Sequence, residues 1–125
     1  MKTTKKHYEL FKSECSRWID KLGILDYRVC YYHEDWSDSY GEARAWCRWN
    51  IEGRIASMCL NTNWKRDEVT ISNIKRSAFH EVSHLLLGRL DTLASARFVM
   101  PEDLKEEIHA VIRRLENLVF ERGKK

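Results

Sequence analysis

Residues 80–84 read His80-Glu81-Val82-Ser83-His84, the H-E-x-x-H spacing that on a helix sets two metal ligands beside a base. Positions i and i+4 lie one turn apart on one side. Both imidazoles therefore reach one ion at about 2.0–2.1 Å from each nitrogen. Glu81 points about 100° around the axis, away from the coordination shell but within reach of a water at the ion. The chemistry this arrangement allows is hydrolysis. Zinc lowers the pKa of its water toward about 7, Glu81 takes the proton as general base, and the same group then donates to the leaving amine. The plain alternative is two ordinary histidines on core or surface positions.

Catalytic zinc usually has three protein ligands and an open position. The long H-E-x-x-H-x-x-G-x-x-H form is absent, because Leu87 and Leu90 stand where it needs Gly and His. A third ligand must come from downstream, and the candidates are Asp91, Glu102, Asp103, Glu106, Glu107 and His109. The last helix is its natural source, as an antiparallel neighbour of the motif helix. Glu106 points away from that helix's apolar stripe. Glu107 and His109 flank the stripe on opposite sides, and helical geometry alone does not separate them.

The elements that must position these residues follow from periodicity. Tyr8, Phe11, Cys15, Trp18 and Leu22 share one helical face, with Thr3 or Thr4 as cap and Gly23 in the left-handed position after the end. Three strands are expected at Asp26–Glu34, Ala43–Trp49 and Arg54–Leu60. A polar loop, Asp35–Gly41, separates the first two. Asn50-Ile51-Glu52-Gly53 reads as a hairpin turn with glycine at positive φ. Ile74, Ala78, Val82, Leu85 and Leu86 mark the motif helix, capped by Ser72 or Asn73 and running to about Leu90. Its apolar flanks predict a buried helix with its histidines held. A connector, Asp91–Met100, leads to a helix opened by Pro101, with Leu104, Ile108, Val111, Ile112, Leu115, Leu118 and Val119 as its stripe. Gly123-Lys124-Lys125 is a frayed tail. The expected fold is α+β: an N-terminal helix, a small, mainly antiparallel three-stranded sheet, the motif helix and a C-terminal helix.

With 125 residues, a single domain over 1–125 is expected. No apolar run is long enough to span a membrane, and the charged N-terminus carries no export signal, so a cytoplasmic protein with no membrane partner is expected. Cys15, Cys30, Cys47 and Cys59 form no C-x-x-C pair and read as reduced, mostly buried thiols. The net charge of +3 is too mild for a dedicated nucleic-acid binder. Trp18, Trp36, Trp46, Trp49 and Trp64, with Arg44, Arg48 and Arg54, allow a weak contact with unpaired bases. Their commoner use is cross-strand packing.

The whole chain resembles the small H-E-x-x-H metallopeptidases often encoded by phages and prophages, which share a minimal gluzincin core with SprT-like and ImmA/IrrE-type proteins. The residues that carry the resemblance are Leu22-Gly23-Ile24 leading into Tyr27-Arg28-Val29, the strand Arg54–Asn61, Trp64, Phe79–Leu87 and Ala110–Glu116. It implies a zinc cofactor, a peptide or protein substrate, and a phage protein working in a bacterial host cytoplasm. It also implies a third ligand just before the Ala110-Val111-Ile112 stretch, where the family's Glu is replaced by His109. Glu107 stays as the rival. In such enzymes an edge strand beside the cleft pairs with extended substrate, a part the resemblance assigns to Arg54–Asn61.

The expected function is a zinc-dependent metalloendopeptidase with Glu81 catalytic and His80, His84 and His109 on the metal. Two alternatives stand beside it. One is a catalytically silent, zinc-containing peptide-binding or regulatory protein. The other is a phage nucleic-acid-associated protein with structural zinc.

Overall fold

A computed structural model describes residues 1–36 and 43–120. Helix α1 (Lys5–Leu22) begins at a full capping box. The Thr4 hydroxyl accepts from the His7 amide, and the Thr4 amide donates to His7 Nδ1. The helix ends at Gly23, which takes the left-handed conformation at φ 66°. The strands are β1 (Arg28–Glu34), β2 (Ala45–Asn50) and β3 (Ile55–Asn61), in the order β1-β3-β2. Helix α2 (Ile71–Leu86) follows, then α3 (Gly88–Ser95) and α4 (Pro101–Val119).

The sheet is mixed, not mainly antiparallel. β3 pairs antiparallel with β2 and parallel with β1. The tight β2–β3 turn makes those two strands antiparallel neighbours, and β3 then lies between β2 and β1. Its sequence suits that place: Ala56, Met58, Cys59 and Leu60 are all fully buried, as only a strand covered on both faces requires. The same order overturns the expectation that Arg54–Asn61 offers a free edge to substrate. Both edges of β3 are taken, and the open edges belong to β1 and β2.

One sheet face carries Val29, Tyr31, Cys47, Trp49, Ala56, Met58 and Leu60 toward the helices. There they meet Phe11, Cys15 and Leu22 of α1 and Ile74, Ala78, Val82 and Leu85 of α2. Each such large side chain fully removed from water contributes about 1.5–3 kcal/mol. All four cysteines are free; Cys15 and Cys59 are buried, Cys30 and Cys47 half-buried.

Several local expectations shift. Gly53 does not take positive φ; Arg54 does, at 54°. The Asn50 side chain accepts from the Gly53 amide at 2.8 Å, which curls the turn around residues 51–53 and moves the left-handed step to the residue that rejoins the strand. The motif helix is capped by Thr70, not Ser72 or Asn73; Asn73 instead bonds to the Glu68 carbonyl. The helix stops at Leu86 rather than Leu90, and much of the expected connector is the short helix α3. The break sits where Gly88 lies against the Trp49 indole, close enough that a Cβ would press on the ring at 3.2 Å. On α4 only Val111 of the apolar stripe is buried, and Ile108, Ile112, Leu115 and Val119 are exposed. Most of the polar loop expected at Asp35–Gly41, and the tail Gly123–Lys125, lie outside the described residues. No helix among the described residues is long and apolar enough to cross a membrane.

Candidate functional site

Helix α2 is amphipathic in a way that sorts its motif residues. Ile74, Ala78, Val82 and Leu85 face the core, so residues one step round from that stripe fall at its margin. His80 and His84 lie on the outer side, with Nε2 atoms 3.2 Å apart. Two tetrahedral zinc–nitrogen bonds of about 2.05 Å place their nitrogens about 3.3 Å apart. The separation of the pair is that of two ligands on one zinc ion. Both rings are exposed. The apolar flanks that predicted a buried helix are covered only in part: Phe79 and Leu87 are more than 40% exposed, while Ala78 and Leu85 are buried. Burial, then His84 and Arg44, lower the His80 pKa, which favours the neutral imidazole that binds metals.

Glu81 sits on the inner side, only 7% exposed. Burial pushes its carboxyl up to about 7, partly opposed by the positive charge of Arg44. A carboxylate at that value both takes and returns a proton near neutral pH.

A pocket of about 190 Å³ opens beside this helix, lined by Ala43, Arg44 and Ala45 from the start of β2 and by Ser77, His80 and Glu81. Its β2 wall is pinned from behind. Asn61 Nδ2 donates to the Ala43 carbonyl at 2.9 Å, and the Arg44 carbonyl accepts from the Asn61 amide and the buried Trp64 indole. The Arg44 guanidinium lies over Trp64, 5.7 Å from the ring centroid, with Nε 3.5 Å from Asp67 Oδ2. Ser77 was not read as a site residue from the sequence, and Arg44 was read only as a contact for unpaired bases. Ser77 had a usable signal, being three and four residues before His80 and Glu81 and so on their side of the helix. Arg44 had none, because it meets the helix only through the sheet.

His109 is exposed on α4, whose main contacts are with α1 and α3 rather than with α2. Glu107 is bound to Arg89 at 3.0 Å. Asp91, Glu102, Asp103 and Glu106 are also exposed. Among the described residues no third His, Cys, Asp or Glu gathers with His80 and His84. Helix α4 packs mainly on α1 and α3, which carries its His109 and carboxylates away from the histidine pair.

The tryptophans are engaged in packing. Trp64 is buried, Trp49 donates to Thr92, Trp36 meets Trp46 edge-on, and Trp18 meets Phe79. Arg48 lies over Trp46. Set against known protein families, curated proteins and solved structures, the chain matches none of them.

Proposed function

We propose that this protein is a zinc-dependent metallopeptidase in which His80 and His84 hold the metal and Glu81 is the general base. The observation that carries this reading is a coincidence of three features: a 3.2 Å imidazole pair of zinc-ligand spacing, a buried carboxyl whose pKa is pushed up to about 7, and a pocket lined by His80 and Glu81. Bound zinc would supply Lewis acidity and a more acidic water. Glu81 accepts the proton of the attacking water and returns it to the departing amine. The open edge of β2 supports the substrate assignment. This strand packs on α2 and begins at Ala45 in the pocket wall, so a peptide added along it reaches the histidine pair. His109, the third ligand implied by resemblance, joins the set only if α4 shifts onto α2.

One observation favours a second reading, a zinc-containing protein that binds peptides without cleaving them: no third ligand gathers among the described residues. Cleavage of an unfolded protein by the zinc-loaded chain, abolished by chelation and restored by zinc, supports the peptidase. Stoichiometric zinc with no cleavage of any unfolded substrate supports the binder.

A further inference from the structure

Ser77 is 3% exposed, and its hydroxyl has no hydrogen-bond partner. That is unusual for a helical serine, which by default bonds back to the carbonyl four residues earlier. Ser83, in the same helix, does so, with Oγ 2.8 Å from the Phe79 carbonyl. A buried hydroxyl left unbonded costs about 1–3 kcal/mol. Ser77 lines the pocket with Arg44, and its buried hydroxyl lies unpartnered among the described residues just behind that lining.

From Arg44 and Ser77 facing one small pocket beside His80 and Glu81, we infer a subsite for a substrate carboxylate. The inference rests on the peptidase reading and names what part of the peptide the cleft holds. Arg44 supplies charge and a planar fork of donors suited to a carboxylate, and a turn about the Ser77 side-chain bond brings its unpartnered hydroxyl to bear as one more donor. The wall that carries Arg44 is fixed by Asn61 and Trp64, and the guanidinium is steadied by Trp64 and Asp67, so little ordering is needed on binding. Asp67 and Glu81 both oppose the charge of Arg44, so a dianionic phosphate is disfavoured more strongly than a carboxylate. A pocket of about 190 Å³ holds a carboxylate with a short stem and excludes bulky groups.

Two sources offer this group: the free α-carboxylate at a peptide's C-terminus and an Asp or Glu side chain. The test is calorimetric titration of the metal-free protein, which cannot turn over, with four N-acetylated peptides. One ends in a free carboxylate, one is its C-terminal amide, and two further amides carry an internal Glu or Gln. At least one carboxylate peptide should bind tenfold or more tightly than its neutral counterpart, and which one does identifies the source. Arg44→Gln should remove that preference, and Arg44→Lys should keep part of it. Ser77→Ala should weaken the preferred peptide three- to tenfold while the melting temperature holds or rises, because the orphan hydroxyl is gone. Equal affinity for acid and neutral peptides, no binding up to millimolar concentration, or a preference intact in both Arg44→Gln and Ser77→Ala would overturn the proposal. Zinc uptake by the same variants, measured in a separate titration, reports on the metal reading, so the two fail independently.

Discussion

The Nε2 atoms of His80 and His84 stand 3.2 Å apart across one turn of α2, a separation set by helix geometry and two rotamers rather than by any third residue. Zinc affinity should therefore depend on both rings. His80→Ala or His84→Ala is expected to cost at least a hundredfold in affinity, measured by competition with a chromophoric chelator. Retention of stoichiometric zinc by either variant at submicromolar free metal would remove the motif from the metal site.

His109→Ala addresses the last helix. With α4 packed on α1 and α3, this variant should bind zinc within about threefold of the wild type. A loss of tenfold or more would show that α4 moves onto α2 when metal binds and that His109 completes the set. Glu107→Ala, which breaks the pair with Arg89, serves as the control on the same helix.

Glu81→Gln should separate metal binding from chemistry. The amide has nearly the carboxyl's size but cannot accept the water's proton. Zinc content should be unchanged and peptide cleavage should fall by about a hundredfold or more. Wild-type turnover in this variant would take Glu81 out of the mechanism.

Gly88→Ala should destabilise the fold. A Cβ there would lie 3.2 Å from two carbons of the Trp49 indole, which is tied to Thr92 by a 3.1 Å hydrogen bond. Overpacking of this kind costs about 1–3 kcal/mol, against a backbone-entropy gain of about 0.4–1 kcal/mol. A net loss of about 1 kcal/mol in chemical denaturation is expected. Stabilisation would show that the indole yields freely.

His33 should make stability depend on pH. Its Nε2 is 2.7 Å from the Thr3 hydroxyl, which donates its own proton to the Asn61 carbonyl, so the histidine is the donor. Its ring stacks on Tyr8. Burial first, then the nearby His7, lower its pKa below the ordinary 6.5. A lowered folded-state pKa means the unfolded chain takes the proton first. The contribution is whole above pH 6.5 and is lost as pH falls through the folded value. In urea titrations of metal-free protein at pH 7.5 and 5, His33→Gln should lose less stability on acidification than the wild type. An equal loss would assign the effect to other groups.

What the sequence by itself determined is what depends on near neighbours in the chain. The spacing 80, 81, 84 fixes which side of a helix each group occupies, and Thr4, Gly23 and Pro101 set helix ends through local backbone preferences. The strands were legible within two residues for the same reason. Strand order was not, because alternation reports which face a residue occupies and is blind to which neighbour it pairs with. That is why the edge role implied by the resemblance could stand beside an ordinary strand until the order β1-β3-β2 put β3 at the centre. The fold likewise decided the company the motif keeps. The helix breaks where Gly88 packs against Trp49, and His109 is carried away on α4, which packs mainly on α1 and α3. Arg44, 36 residues before His80, reaches the pocket because the sheet brings it there. Such contacts join distant segments through packing, and no period in the sequence records them.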